Sequence, residues 1–134
     1  MEINVSPEEL LYAETHEWAH IADGDGGKVA TIGISAHAVE ALTDLVYMDL
    51  PEAGTAVSSG QSFGEVESVK ATSDLYSPVD GEIVEVNTSL PDNLEVLNDD
   101  PYVQGWILKV KVSNEESLSK LMDHAAYEKM CAES

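Results

Sequence analysis

The sequence predicts an all-β-dominated domain with short helices at its C-terminal end. Short apolar runs separated by turn residues recur through the middle of the chain, as in proteins built from many short strands. Helical spacing of apolar residues is sparse and is clearest after residue 112. This pattern favours a β-sandwich or a flattened barrel. The length of 134 residues suits one domain over residues 1–134, with a β region at about 14–112 and helices at about 113–131.

Strands are predicted wherever an apolar run is bounded by turn residues. In chain order the predicted strands are 17–22, 28–34, 45–50, 61–69, 73–76, 82–87 and 105–112. The glycine- and aspartate-rich segment 23–27 is typical of a hairpin turn between the first two. The last strand alternates best, and its predicted apolar face consists of Trp106, Leu108, Val110 and Val112.

Helices are predicted at a few positions by capping residues and apolar spacing. Ser35 is placed to cap a helix that runs through residue 42. Ser113 or Asn114 is placed to cap a C-terminal helix, and Asp123 to start a second one through residue 130. The first of these C-terminal helices is predicted to carry Leu118, Leu121 and Met122 at helical spacing. A helical turn is also expected within 91–97.

The charge balance excludes several classes of partner. The chain has 26 acidic residues and 6 lysines with no arginine, which gives a net charge of −20. Nucleic acids and anionic membranes are therefore not expected partners, because both require neutralising cations. No apolar run approaches the length of a membrane span, and the first residues lack the character of a secretory signal or a transit peptide. We expect a cytoplasmic protein.

No catalytic or metal-binding set stands out in the sequence. The single cysteine, Cys131, excludes an internal disulfide and a cysteine-rich zinc site, and nothing near it in sequence indicates activation. His16 and His20 share a strand face but would lie about 13 Å apart, so no metal site is expected. No serine–histidine–aspartate spacing, phosphate loop or paired-carboxylate motif is present. We therefore expect no catalytic residues.

The segment around Lys70 is the one most suggestive of chemistry. Two predicted strands flank a junction at 69–72 that contains neither glycine nor proline. Lys70 lies there among the acidic residues Glu65, Glu67 and Asp74. A lysine on a projecting hairpin presents its amine to an outside enzyme. The alternative is an ordinary solvated lysine that offsets its acidic neighbours.

This segment resembles the lipoylation motif of the glycine cleavage H-protein family. The matching residues are Glu67, Ser68, Val69, Lys70, Ala71, Ser73, Asp74, Ser77, Pro78 and Gly81. The resemblance continues through His16-Glu17-Trp18 and through residues 31–34, 37–38, 49–54, 98–102 and 105–106, so that it covers about residues 10–131. Biotin carriers have methionines on both sides of the lysine, whereas Val69 and Ala71 stand here.

The resemblance implies a lipoyl/biotinyl-type flattened β-barrel, or barrel-sandwich hybrid, with lipoic acid covalently bound to Lys70. It implies a non-catalytic carrier of glycine catabolism and one-carbon metabolism. The lipoyl arm would shuttle the aminomethyl group of glycine from the pyridoxal phosphate-dependent glycine decarboxylase (P protein) to the tetrahydrofolate-dependent aminomethyltransferase (T protein). Dihydrolipoyl dehydrogenase (L protein) would re-oxidise the arm, and a lipoate ligase or a lipoyl/octanoyl transferase would attach it.

The resemblance also implies a surface cleft that shelters the loaded arm. Glu17 and Asp74 are the candidate acidic residues of this cleft, and Thr15 is the candidate polar neighbour. A freely visiting carrier is expected to be a monomer, in the bacterial cytoplasm or, for a mature organellar form, in the mitochondrial matrix. The alternatives are an H-protein-like carrier for lipoate relay or sulfur metabolism, and an unmodified acidic interaction domain.

Overall fold

The computed structural model describes residues 10–24, 27–42, 45–69, 71–99 and 105–133. Within them, antiparallel strands dominate and short helices are peripheral. The strands are β1 (Leu11–Tyr12), β2 (Glu17–Gly24), β3 (Gly27–Ile34), β4 (Leu45–Asp49), β5 (Ala56–Val57), β6 (Ser62–Ser68), β7 (Thr72–Tyr76), β8 (Asp80–Val86) and β9 (Leu108–Asn114). The helices are α1 (Ala36–Leu42), α2 (Glu95–Asp99) and α3 (His124–Glu133), with 3₁₀ helices at Leu90–Asp92 and Glu115–Lys120.

The strands form two sheets that share one hydrophobic core. One sheet has the order β1-β2-β3-β9-β8-β5, and the other has the order β4-β6-β7. Ile32 and Val110 from the first sheet join Val66 and Leu75 from the second in a single buried cluster. Burial of this apolar area is the main favourable contribution to folding. The predicted all-β-dominated class, with short helices after the last strand, is confirmed.

A second, smaller buried cluster joins the start of the chain to its end. It consists of Leu10, Tyr12, Trp18 and Tyr127, so that α3 packs onto β1 and β2. Trp18 pairs with Gly33 across the β2–β3 hairpin. A Cβ atom at Gly33 would lie 2.6 Å from the Trp18 indole, which explains why this position is glycine.

The observed strands differ from the predicted ones at three places. β1 and β5 were not predicted, because two-residue strands leave no periodic pattern. β9 begins at Leu108, so the prediction that Trp106 shares its apolar face is wrong. Trp106 is half-buried before the strand, whereas Ile107 is fully buried there and donates its N–H to Ile32.

The helix predictions are confirmed except in the first C-terminal segment. The Ser35 hydroxyl accepts the Ala38 N–H at the start of α1, and Asp123 accepts the Ala126 N–H at the start of α3. Asn114 caps the segment after β9, but that segment is a short 3₁₀ helix that ends before Leu121 and Met122. Met122 instead forms an extended backbone bridge to Tyr12. Helical turns do occur near 91–97. Among the described residues, every helix is too short or too polar to traverse a lipid bilayer.

Candidate functional site

The β6–β7 hairpin forms two strands of the three-stranded sheet and carries the segment singled out by the sequence. Its strands pair from Ser62 with Tyr76 up to Glu67 with Thr72. Beyond them, the Ser68 N–H donates to the Ala71 carbonyl at 2.8 Å, and the Ser68 hydroxyl also bonds to the Ala71 backbone. These bonds join the two sides of the hairpin at Ser68 and Ala71. Lys70 itself lies outside the described residues.

Exposed apolar side chains surround the end of this hairpin. Val69 is 64% exposed, and Val46 and Tyr47 on the neighbouring strand β4 are each 52% exposed. β4 pairs with β6, and Leu45 lies opposite Ser68 at the end of the hairpin. The region next to the hairpin tip therefore offers contact area for another protein.

A groove of about 170 Å³ lies beside β7. It is lined by Thr15, His16, Glu17, Ile34, Ala38, Val66, Ser73, Asp74 and Leu75. Ser73 is two residues from Ala71, and a strand rises about 3.3 Å per residue, so the groove begins about 7 Å along β7 from Ala71. All three predicted cleft residues, Thr15, Glu17 and Asp74, line this one groove.

Glu17 is the most unusual side chain in the groove. It is 1% exposed, and its carboxylate has two hydrogen-bond partners. The Thr15 hydroxyl donates to one carboxylate oxygen, and the Tyr76 N–H donates to the other at 3.3 Å. Burial raises the pKa of Glu17 to about 7, and the hydrogen bonds oppose this rise only in part. Near neutral pH the carboxyl group is therefore poised between its neutral and charged forms.

His16 holds the turn before β2 through contacts with distant parts of the chain. Its φ of 78° is left-handed, which is uncommon outside glycine. Its Nδ1 lies 2.7 Å from the hydroxyl of Tyr127 in α3, and that hydroxyl lies 2.5 Å from the hydroxyl of Ser35. The His37 ring stacks on His16 at 5.0 Å. Burial, together with the charge of His37, lowers the pKa of His16.

The contacts among His16, Ser35 and Tyr127 are absent from the sequence-based prediction. These residues come from the turn before β2, the start of α1 and the middle of α3. The sequence indicated an N-cap for Ser35 and a helical position for Tyr127, but neither signal pairs them. Only the packing of α3 on β2 brings them together.

A comparison with known proteins shows the family. The profile described as glycine cleavage H-protein matches residues 10–134. The chain belongs to the glycine cleavage H-protein family. The match includes both the β6–β7 hairpin and the groove beside it.

Individual members of the H-protein family are similar over nearly the full chain. The H protein of Rhodopirellula baltica is 62% identical over 127 residues, which are 95% of this chain and 96% of that protein. The mitochondrial H protein 2 of Arabidopsis thaliana is 52% identical over 93% of this chain and 78% of that protein. A crystal structure of the H protein from Mycobacterium marinum has a TM-score of 0.85 at 40% identity, covering 95% of this chain and 99% of that one. This likeness confirms the barrel-sandwich fold.

Proposed function

We propose that this H-protein family member carries lipoic acid in amide linkage on Lys70 and acts as the lipoyl carrier of glycine cleavage. The observation that supports this proposal best is the groove beside the β6–β7 hairpin. It combines apolar walls with a buried carboxylate, and its residues include the three that the family resemblance had indicated.

The groove suits a lipoyl arm by the chemistry of its walls. Ile34, Ala38, Val66 and Leu75 supply apolar surface for an aliphatic chain. Glu17 and Asp74 supply acidic groups for a cationic amine at the end of the loaded arm. Apolar walls with a few placed polar groups are the usual composition of a ligand site.

The chain's own residues would present and protect the arm. When bound, the lipoyl group would supply the carrier sulfurs and the disulfide oxidant for exchange with glycine decarboxylase, aminomethyltransferase and dihydrolipoyl dehydrogenase. The backbone bond from Ser68 to Ala71 would fix the residues on either side of the segment that carries the attachment point. The groove would limit the access of water to the arm's end. Tethering raises the effective concentration of the cargo at each enzyme.

Glu17 would bind the cationic amine by changing its own charge. Its pKa of about 7 results mainly from burial, which disfavours the carboxylate. An ammonium group nearby favours the carboxylate and lowers that pKa. Glu17 would then release a proton as the loaded arm enters the groove. Thr15 would hold the carboxylate in place through its hydroxyl.

The remaining assignments follow from the carrier role. We infer a monomer without an active site of its own, visited by the P, T and L proteins and by a lipoate ligase or a lipoyl/octanoyl transferase. The exposed apolar side chains Val46, Tyr47 and Val69 would lie in these contacts. The bacterial relatives support a cytoplasmic location, and the mitochondrial relative supports a matrix location for an organellar form.

The first experiment tests the attachment of lipoate. The chain is co-expressed with a lipoate ligase and lipoate, and its intact mass is measured before peptide mapping. We expect a gain equal to lipoic acid minus water, located on Lys70. The gain should vanish in Lys70→Arg and persist in Lys111→Arg, which changes an exposed lysine of β9 in the same way. No gain with a ligase active on a control domain would overturn the proposal.

The second experiment tests the pathway. Lipoylated protein is combined with glycine decarboxylase, and the exchange of bicarbonate into glycine is followed. We expect exchange with the wild type and none with Lys70→Arg, although the variant folds normally. A lipoylated protein that supports no exchange, beside an authentic H protein that does, would favour a carrier for lipoate relay or sulfur metabolism.

A further inference from the structure

Three residues that are far apart in sequence converge next to the groove. His16 lies before β2, His37 lies in α1 and Cys131 lies in α3. One ring nitrogen of each histidine and the Cys131 sulfur all lie within 4.8 Å of one another. No metal site was expected from the sequence, because His16 and His20 would lie about 13 Å apart on a strand, His37 follows a different strand, and nothing near Cys131 in sequence indicates activation.

The spacing of these atoms is close to that of a zinc site. Zinc binds nitrogen at about 2.0–2.1 Å and sulfur at about 2.3 Å with tetrahedral angles, so its ligand atoms lie about 3.3–3.8 Å apart. Binding requires a contraction of about 1 Å and a turn of the exposed His37 ring out of its stack on His16, so that both nitrogen lone pairs point at one ion. His37 is exposed, and His16 and Cys131 are half-buried, so a cation can enter from solvent.

His16 already has the supporting contact that a metal-binding histidine commonly makes. Such a histidine binds the metal through one nitrogen and donates the N–H of the other to a fixed partner. Nδ1 of His16 faces the Tyr127 hydroxyl at 2.7 Å, and that hydroxyl is fixed by Ser35 at 2.5 Å. We assign the Nδ1–H of His16 as the donor to this hydroxyl, which leaves Nε2 as the nitrogen that would bind an ion.

We propose that His16, His37 and Cys131 form a binding site for a zinc ion. Two imidazoles and a thiolate are ligands that zinc prefers, and three protein ligands leave a fourth position for water. Binding forms the zinc–sulfur bond as the Cys131 thiol gives its proton to solvent. The net charge of −20 raises the local concentration of cations around the chain. The site does not depend on the lipoyl arm.

Cobalt(II) serves as the spectroscopic probe for this site. The full-length chain, purified without lipoate under reducing conditions, is titrated with Co²⁺ and then with Zn²⁺. We expect a near-ultraviolet thiolate-to-cobalt charge-transfer band and visible bands of a four-coordinate ion, both of which Zn²⁺ displaces. Absence of the charge-transfer band at saturating Co²⁺ would overturn the proposal.

Matched variants locate the bound ion. Cys131→Ser should abolish the charge-transfer band, and His37→Gln should weaken Co²⁺ binding about 100-fold or more, since removing a supporting partner already costs about 10–100-fold. His37 is exposed, so this variant should keep its fold. His20→Gln changes a histidine outside the cluster and should bind Co²⁺ like the wild type. A band that survives Cys131→Ser, or equal losses in the two histidine variants, would refute the site.

Discussion

The two walls of the groove are built in different ways. One wall comes from the start of β2, where Glu17 is 1% exposed and its neighbour His16 contacts Tyr127 of α3. The other wall comes from β7, an edge strand of the three-stranded sheet, where Asp74 is exposed. Two acidic residues thus face one space from very different environments.

This difference indicates a division of roles between the walls. Buried polar groups require partners, and among the described residues no buried side-chain nitrogen or oxygen lacks one. The buried wall therefore fixes its carboxylate in one position through Thr15 and the Tyr76 backbone. The exposed wall leaves Asp74 in solvent, where its charge is screened. The buried wall determines position, and the exposed wall admits the arm.

The largest expected effect tests how the buried wall is supported. Tyr127 stacks on Tyr12 with ring centroids 4.3 Å apart and also bonds to His16 and Ser35. Tyr127→Ala should lower the free energy of unfolding by about 3–5 kcal/mol, because it removes a buried aromatic ring. Tyr127→Phe keeps the ring but removes the hydroxyl, and should cost about 1–2 kcal/mol. Urea unfolding at one pH measures both values.

A tyrosine on the exposed surface provides the control for these variants. Tyr47 is 52% exposed, and Tyr47→Phe should change the free energy of unfolding by less than about 0.5 kcal/mol. Equal costs for Tyr127→Phe and Tyr127→Ala would show that the ring contributes nothing beyond its hydroxyl. That result would contradict the packing described for α3.

The next effect tests the burial of Glu17 through pH. Its pKa is about 7 in the folded protein and near 4.5 in an unfolded chain. Between about pH 4.5 and about pH 7, Glu17 keeps its proton in the folded protein but has lost it in the unfolded chain. The contribution of Glu17 to stability therefore falls as pH rises. Glutamine does not titrate, so Glu17→Gln does not lose stability in this way as pH rises. From pH 5 to pH 8 the variant should gain about 2–3 kcal/mol relative to the wild type.

Urea unfolding of both proteins at several pH values measures this gain. Thr15→Val is the paired variant, because the Thr15 hydroxyl lowers the pKa of Glu17. Loss of this hydroxyl should raise the pKa of Glu17, so the pH-dependent change in stability should have its midpoint at a higher pH. Stability curves of wild type and Glu17→Gln that run parallel from pH 5 to pH 8 would mean that Glu17 is solvated, and the two walls would not differ.

The sequence predicted the exposed wall better than the buried one. The hairpin strands follow from alternation and turn residues in one continuous segment, which includes Asp74. Glu17, Thr15 and Asp74 were named as cleft residues only through resemblance to a family, and nothing local indicates that a strand-start glutamate is buried. The contacts of Tyr127 with His16 and Ser35 join residues 111 and 92 positions apart, beyond the reach of any periodic signal. Leu121 and Met122 show the same limit, since a pairing with Tyr12 overrides their helical spacing.

The smallest effect compares the two carboxylates directly in the lipoylated, aminomethyl-loaded protein. Asp74→Asn should change the free energy of unfolding by less than about 0.5 kcal/mol, because the side chain is exposed. It should speed the loss of the loaded amine to water about 2–5-fold, since an exposed charge pair contributes about 1 kcal/mol or less. Glu17→Gln should speed this loss more, because its charge acts in a less polar environment.

Salt separates the two contributions. At about 1 M salt the screening length falls to about 3 Å, so the effect of Asp74→Asn should disappear while that of Glu17→Gln persists. The release of amine from each loaded variant is followed over time at low and high salt. A larger or more salt-resistant effect at Asp74 than at Glu17 would reverse the assignment. The edge strand would then hold the amine, and the buried carboxylate would serve only to fix the turn before β2.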